Sequence, residues 1–250
     1  MSTILLRLAA PLQAWGTDSR FDTRQTGREP TRSGLIGMAA CAMGISREDR
    51  EGLKRLNTLR TGVRVDREGK ILRDYHIAKY FRDAFNDRSA YLTGQDESAQ
   101  NHQTWRYYLS DAVFLAGLES DDEDLIRDLS EAFHHPVFAL YLGRKSCPPT
   151  LPLFLGVREM NLRDALAAEP WLAAPQKAEG KKTPQTLRCV VDAEEGDRMT
   201  AQVQDAPVSF DRAQRQYGFR KAAQIDLPFP EKTPEAIPET EHDIMAEVGR

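Results

Sequence analysis

Four arginines occur at intervals of four residues near the start of the chain, at Arg20, Arg24, Arg28 and Arg32. A guanidinium group is suited to phosphate, because its planar fork can donate two parallel hydrogen bonds. A spacing of four also suits the solvated face of a helix. However, the Thr, Gly and Pro residues between these arginines are poor helix formers. The pattern therefore favours a basic loop that contacts an anion, with an extended phosphate backbone as the candidate ligand.

The elements on either side of this loop must position it. A short apolar strand over 3–9 leads into a turn, and a small-residue helix over 33–45 follows the loop and ends at Gly44. The first N–H groups of a helix lack partners within the helix and can bind an anion. Thr31 and Ser33 could contact phosphate there, or could only cap the helix.

The turn before the loop, Pro-Gln-Ala-Trp-Gly, holds three more candidates. Trp15 could stack on a base or pack in the core, and both interpretations stay open. Gln13 flanks it, and Gly16 would allow a close approach of another backbone. Two later segments are also basic. Arg106 stands among three aromatic rings, and Arg144-Lys145 follows a glycine, where a solvated turn is the alternative.

The order of predicted elements suggests the fold. After the first strand and helix, the chain is predicted to form a helix over 47–59, a hairpin of 61–65 with 70–77, a polar stretch over 80–108, a strand over 112–118, a helix that starts at 120–123 and a strand over 137–142. This is the β-α-β-β-α-β order of a ferredoxin-like fold, which many RNA-recognition modules share.

We therefore predict an α+β protein with three regions. Residues 1–147 form a ferredoxin-like (RRM-like) domain with an inserted β-hairpin thumb at about 78–110. Residues 148–228 form a smaller C-terminal β-rich subdomain, with strands over 186–192, 199–204 and 219–227 and a short helix over 162–172. Residues 229–250 form an acidic, Pro/Glu-rich tail.

Composition narrows the class of protein. The net charge of −4 does not by itself suggest a nucleic-acid ligand, but the charges are segregated. Residues 1–47 hold six arginines against three acids, whereas 229–250 hold six acids against two basic residues. The three cysteines have no metal-ligand or disulfide spacing. No apolar run reaches the length of a membrane span, and no signal peptide is evident, so we expect a soluble cytoplasmic protein without cofactor or metal.

Several whole strings of the sequence resemble the type I-E branch of the Cas-five (Cas5) family of CRISPR-associated proteins. They are LLRLAAPLQAWG, PTRSGLIGMAACAMGI, WRYYLSDAVFLAGL and FALYLGRKSCPP, and they occur in the family's order. The resemblance runs from residue 1 to about 227 and is strongest over 5–45, 104–118 and 138–149.

The resemblance implies a subunit of Cascade, the RNA-guided antiviral surveillance complex. Such a subunit caps one end of the complex and holds the 5′ handle of the CRISPR RNA (crRNA). Its thumb, here 78–110, contacts the adjacent backbone subunit, and the large PAM-reading subunit lies nearby, so target DNA is an indirect partner. The implied RNA contacts include the glycine-basic loop at Arg144-Lys145, and the implied role is binding without catalysis.

Two other functions remain as alternatives. A metal-independent endoribonuclease of the same fold needs a general acid or base at the scissile phosphate. Tyr75 and His76 would be the available groups, but no Lys-His pair stands where a cutting relative has one. The second alternative is a protein-only interaction module that uses the 80–108 stretch.

Overall fold

The computed structural model describes residues 1–16, 22–81, 99–173, 185–211 and 213–230. The predicted RNA contact Arg20, the tip of the predicted thumb over 82–98 and the predicted tail from residue 231 lie outside the described residues. Within those ranges, no helix has the length and apolar character needed to cross a membrane.

The described elements are eleven strands and four helices. The strands are β1 (Ser2–Ala9), β2 (Leu12–Gln13), β3 (Thr23–Arg24), β4 (Arg60–Arg67), β5 (Lys70–Phe81), β6 (Ala99–Ser110), β7 (Val113–Ser120), β8 (Phe154–Arg158), β9 (Thr186–Asp192), β10 (Thr200–Ser209) and β11 (Gln216–Pro228). The helices are α1 (Arg32–Met43), α2 (Arg50–Leu56), α3 (Glu123–His134) and α4 (Leu162–Ala168).

A seven-stranded sheet with the order β10-β11-β9-β4-β7-β1-β8 forms the centre of the molecule, and every neighbouring pair is antiparallel. Alternate residues of β1 point to opposite faces. Ile4, Leu6 and Leu8 pack with α1, α2 and α3 in the main core, whereas Leu5 packs with α4 in a second core. Both faces of the sheet are therefore covered near its middle.

Two glycines make room for α4 on the second face. Gly62 of β4 and Gly117 of β7 are directly opposed in the ladder. A Cβ at Gly117 would lie 2.5 Å from Leu162 Cδ1, and one at Gly62 would lie 2.9 Å from Leu166 Cδ1. The absence of side chains at this pair lets the two leucines of the helix sit directly on the strands.

Helix boundaries agree closely with the sequence patterns. Helix α1 ends where Gly44 adopts a left-handed conformation with φ of 73°, as expected for a glycine at this position. Helix α3 begins after Asp122, whose side chain accepts a hydrogen bond from the Leu125 N–H. The predicted strands of the C-terminal part are also present as β9, β10 and β11. They continue the central sheet, because β9 pairs with β4.

The predicted hairpin of 61–65 with 70–77 is wrong. Both segments are strands, but β4 pairs with β7 and β9 in the central sheet, while β5 pairs only with β6 in a second sheet. The long hairpin is therefore β5–β6, with paired residues from Lys70↔Ser110 to Phe81↔Ala99. This hairpin starts at about residue 70, before the predicted thumb at about 78, because the chain changes sheets between β4 and β5.

The predicted strand over 137–142 does not form. Instead, the Val137 and Phe138 N–H groups donate to the carbonyls of Ala42 and Cys41 at the end of α1, at 2.9 and 3.3 Å. Backbone groups that complete a helix end are not available for a sheet ladder. The next strand of the central sheet along the chain is β8, which pairs with β1.

Candidate nucleic-acid interface

The basic loop, the Trp15 turn and the loop at residue 143 meet at one open cleft with a volume of about 400 Å³. Six of the predicted RNA-binding residues line it: Trp15, Gly16, Arg24, Thr31, Ser33 and Arg144. Arg215 and Tyr217, from the C-terminal hairpin β10–β11, line it as well. We call this site the arginine cleft. Three parts of the chain that are distant in sequence therefore converge at one cleft.

Gly143 brings the second basic loop against the Trp15 turn. It adopts a φ of 84°, and a Cβ at this position would lie only 1.6 Å from the Ala14 carbonyl oxygen. The Ala14 N–H donates to the Leu142 carbonyl at 3.1 Å, which joins the two segments. Because only glycine has both the conformation and the space, Gly143 fixes where Arg144 enters the cleft.

The Arg144 guanidinium is held in place before any ligand arrives. Its Nη2 donates to the Arg24 carbonyl at 3.0 Å. Its Cζ lies 4.6 Å from the ring centroid of Tyr108, a cation–π distance. Its Nη1 is buried and has no hydrogen-bond acceptor among the described residues. A buried donor without a partner is costly, so this group favours an acceptor such as a phosphate oxygen.

The middle of the basic loop is hydrogen-bonded to the backbone of Trp15. The Trp15 N–H donates to Thr26 Oγ1 at 2.9 Å, and the Gly27 N–H donates to the Trp15 carbonyl. A Cβ at Gly27 would lie 2.9 Å from that carbonyl oxygen. These contacts hold the loop beside the turn, so that the exposed Arg24 lines the cleft.

Trp15 and Gln13 have structural roles. The Trp15 side chain is only 1% exposed, and its Nε1 donates to Gln13 Oε1 at 3.0 Å. Gln13 is fully buried, and its Nε2 donates to the carbonyls of Leu8 and Ala112. The indole packs under α1, where a Cβ at Gly34 would lie 3.0 Å from its ring. Neither side chain has a free surface for a base, so of the two interpretations of Trp15 the core role is the one observed.

The start of α1 offers fewer N–H donors than the sequence suggests. Thr31 Oγ1 accepts from the Gly34 N–H at 3.1 Å, so Thr31 is the N-cap. The Arg32 N–H donates to a carboxylate oxygen of Asp205 at 2.8 Å. Among the first three N–H groups, only that of Ser33 lacks a hydrogen-bond partner within the described residues. The Ser33 hydroxyl lies 3.2 Å from Thr31 Oγ1 and also faces the cleft.

Arg32 is not brought to the cleft. Its side chain turns inward and is 8% exposed, with Nη1 donating to Asp192 at 2.7 Å. Arg220 also contacts Asp192, at 3.0 Å, and forms a two-pronged pair with Asp205 at 2.7 and 3.0 Å. We call Arg32, Asp192, Arg220 and Asp205 the buried ion network. Burial lowers the pKa of the Arg32 guanidinium. Because its partners are protein groups, the predicted contact of Arg32 with RNA does not fit the structure.

Two more predicted contacts lie beside the cleft without lining it. Arg106 of β6 is directly opposite Arg24 in the β3–β6 ladder, and its Nε is buried without an acceptor among the described residues. Lys145 is exposed on the same loop as Arg144. Arg106 and Lys145 both stay predicted RNA contacts, since either side chain could reach RNA that extends out of the cleft.

Comparison with known proteins identifies the family. The family model described as CRISPR-associated protein (Cas_Cas5) matches residues 3–223. The chain belongs to the Cas5 family. This confirms the resemblance carried by the sequence strings near both basic loops.

Relatives with known names or structures agree with this family. The chain is 40% identical over 166 residues to the "CRISPR system Cascade subunit CasD" of Escherichia coli (strain K12), covering 62% of this chain and 70% of the relative. It is similar to a chain of a solved "CRISPR RNA-guided surveillance complex", with a TM-score of 0.71, 31% identity, and 92% and 91% of the two chains covered. It is also similar to a "Cas protein" crystal structure, with a TM-score of 0.67, 36% identity, and 93% and 100% covered.

Arg215 and Tyr217 are the cleft residues that the sequence reasoning missed. They lie in the string QRQYGFRK, in which arginines stand close to aromatic residues, as Arg106 does. The same signal could therefore have found them. The sequence does not link these residues to the basic loop, because they lie far from it in the chain and in a predicted separate subdomain. Nothing in the sequence indicates that their hairpin packs against α1.

Proposed function

We propose that this Cas5-family chain is a non-catalytic, RNA-binding subunit of a Cascade surveillance complex of type I-E, and that the arginine cleft holds the 5′ handle of the crRNA. The observation that carries the proposal is the Arg144 guanidinium, fixed over Tyr108 with a buried N–H that lacks an acceptor among the described residues. The similarity to a relative named a Cascade subunit supports the assembly.

The charge of the cleft supports an anionic ligand. Arg24, Arg144 and Arg215 line it, and none of its described lining residues is an Asp or Glu. Arg24 and Arg106 are also direct neighbours across two strands. Like charges in that position repel and destabilise the ladder. A phosphate between or beside them would remove that cost, and phosphate contacts supply much of the affinity of RNA-binding proteins.

The fold supports binding by loops at one end of the sheet. The strand order β8-β1-β7-β4, with helices in the two crossovers, supports the proposed ferredoxin-like β-α-β-β-α-β arrangement. In RNA-recognition motifs of that fold, aromatic residues on the open face of the sheet stack on bases. Here α4 covers part of that face through Leu162 and Leu166. The RNA is therefore expected at the arginine cleft instead of across the sheet.

The β5–β6 hairpin is the proposed contact with the adjacent backbone subunit. β5 pairs only with β6 among the described strands. Its residues Ile71, Tyr75 and Ile77, which alternate along one face, are each about half exposed, at 51%, 50% and 51%. An apolar stripe on an unpaired strand edge is a suitable surface for another protein. Contact with the large PAM-reading subunit, and through it with target DNA, is proposed from the family resemblance alone.

A binding role without catalysis fits the geometry better than nuclease activity. Tyr75 and His76, the groups available to a nuclease, are neighbours on β5 and so project from opposite faces of the hairpin. They could not act together on one phosphate. The His76 side chain is exposed, away from the residues that line the cleft.

Fluorescence anisotropy with a labelled RNA of the handle segment of the host's CRISPR repeat tests the proposal. We expect the double substitution of Arg24→Ala with Arg144→Ala to weaken binding. It should also lower the slope of log affinity against log salt by about 0.7 for each phosphate that the variant no longer neutralises. Arg28→Ala is the matched control, because Arg28 is an exposed arginine of the same loop that does not line the cleft. Equal affinities and slopes for the double variant and the wild type would overturn the proposed site.

Cleavage is tested with the same RNA. After prolonged incubation with the purified chain, we expect the full-length repeat RNA to remain uncut on a denaturing gel. Specific cleavage that disappears in the His76→Ala variant would contradict the non-catalytic role.

A further inference from the structure

The C-terminal hairpin β10–β11 forms one wall of the cleft. Neither the family resemblance nor the similar proteins assign a role to this wall. Arg215 lies just before β11, and Tyr217 is its second residue. Both line the cleft together with Arg144. Tyr217 is half-buried and Arg215 is exposed, so a guanidinium and an aromatic ring are both available to a ligand in the cleft.

The position of this wall is fixed by the buried ion network. Asp205 of β10 accepts the first N–H of α1, at 2.8 Å, and is itself paired with Arg220 of β11. Asn57, just after α2, also donates to the carbonyl of Pro207 in β10, at 2.8 Å. These contacts fasten the hairpin to the first two helices. Tyr217 is three residues from Arg220, so it is held in a defined place relative to Thr31 and Ser33 at the start of α1.

The contents of the cleft indicate the chemistry of its ligand. Its volume of about 400 Å³ falls within the range of about 300–1,000 Å³ for pockets that hold one small ligand. Guanidinium groups donate to phosphate oxygens, and an aromatic ring stacks on any base. Hydroxyls at Thr31 and Ser33 can exchange hydrogen bonds with a sugar or a base edge. Together these groups suit a single nucleotide of an unpaired strand.

We infer that Tyr217 stacks on one unpaired base of the bound RNA, and that Arg215 and Arg144 contact the phosphates on its two sides. This inference rests on the proposed RNA-binding function. It adds to that function a nucleotide pocket, one wall of which is the C-terminal hairpin. The pocket separates the base that enters it from its neighbours, so the protein fixes the register of the RNA at this point.

Fluorescence anisotropy with handle RNAs, each carrying one abasic position, tests the inference. In full-length protein we expect Tyr217→Leu to weaken binding of the intact RNA about 5- to 150-fold, the range for loss of one base–aromatic stack. Tyr217→Phe keeps the ring and should bind within about two-fold of wild type. Against RNA that is abasic at the pocket position, wild type and Tyr217→Leu should bind equally, because the stack is already absent.

The matched controls are on the same hairpin and the first loop. Phe219 of β11 is 65% exposed and does not line the cleft, so Phe219→Leu should leave the affinity unchanged. Arg215→Ala should lower the salt slope by about 0.7, whereas Arg28→Ala should not. Equal affinities for wild type and a folded Tyr217→Leu variant on the intact RNA would overturn the inference. That result would leave the proposed function standing, whereas failure of the wild type to bind any handle RNA would overturn both.

Discussion

Replacing Arg64 by methionine should be one of the most destabilising single changes in this protein. Arg64 and Asp66 of β4 both have fully buried side chains and form a two-pronged pair, at 2.7 and 2.9 Å. The other three N–H groups of Arg64 donate to the carbonyls of Leu166, Glu169 and Pro170, at 2.5 to 2.7 Å. All five donors of the guanidinium are therefore satisfied, and they bind the end of α4 to the sheet.

The expected cost of Arg64→Met follows from what it leaves behind. Removing one partner of a buried ion pair costs about 3–5 kcal/mol, because the remaining charge is buried without compensation. Three carbonyls are also left without their donor, although such costs do not add fully. A fall of about 4 kcal/mol in the free energy of unfolding is a large part of the usual total of about 5–15 kcal/mol. With a urea slope of about 2 kcal/mol/M, the midpoint should fall by about 2 M.

Urea unfolding followed by tryptophan fluorescence measures this cost. Trp171 is a suitable reporter, because its Nε1 donates to the Asp66 carbonyl at 2.8 Å. The double variant Arg64→Met with Asp66→Leu should be more stable than Arg64→Met alone, since it removes the unpaired carboxylate. Arg55→Met is the control: Arg55 is 43% exposed in its pair with Asp128, so its removal should cost below about 1 kcal/mol. A cost of less than about 1 kcal/mol for Arg64→Met would refute the reasoning.

Close packing and burial lead to three further predictions, two for substitutions and one for chemical labelling. Gly143→Ala should abolish handle binding in the anisotropy assay, because its Cβ would lie 1.6 Å from the Ala14 carbonyl oxygen; wild-type affinity would contradict this. Gly117→Ala, whose Cβ would lie 2.5 Å from Leu162 Cδ1, should cost about 1–3 kcal/mol in urea unfolding, and an unchanged midpoint would argue against it. Burial raises the pKa of the Cys189 thiol to about 12, so iodoacetamide at pH 8 should label Cys189 only after unfolding, as read by mass spectrometry.

Local signals in the sequence predicted local structure well. The small-residue pattern indicated α1, and its end at Gly44 follows from the ease with which glycine adopts a left-handed conformation. The acidic run at 120–123 indicated the start of α3, because Asp122 can accept a backbone N–H. In both cases the residues that decide the boundary lie within a few positions of it.

Pairing partners could not be predicted in the same way. The alternation in 61–65 and 70–77 indicates two strands but does not say which strands they pair with. The prediction that they pair with each other is wrong. Likewise, the apolar run at 137–142 is compatible with a strand until the end of α1 takes its first N–H groups. Arg64 carried no sequence signal either, since its acceptors include three carbonyls about a hundred positions later in the chain.

The candidate site illustrates why residue type and spacing alone are insufficient. Arg24 and Arg32 are both in the basic loop pattern, but Arg32 turns inward. Its guanidinium donates to Asp192 and to the Asn57 carbonyl, which are both distant in sequence. The structure brings several of the predicted residues together at one cleft, but the sequence could not show that Arg32 turns away from it. It also predicted a core or a stacking role for Trp15 without deciding, because the decisive hydrogen bond to Gln13 depends on how the turn folds.

The buried ion network also changes how phosphate is held. The sequence suggested that free N–H groups at the start of α1 would bind an anion, but Asp205 places a carboxylate at that position. The network contains two arginines and two aspartates, so it is neutral overall, and the helix start contributes little net attraction. The first 47 residues therefore contribute less positive charge to the cleft than their surplus of arginine suggests, because Arg32 is paired within the buried ion network. The third cleft arginine, Arg215, comes from the C-terminal hairpin, and the same Asp205 that takes the helix N–H holds that hairpin in place.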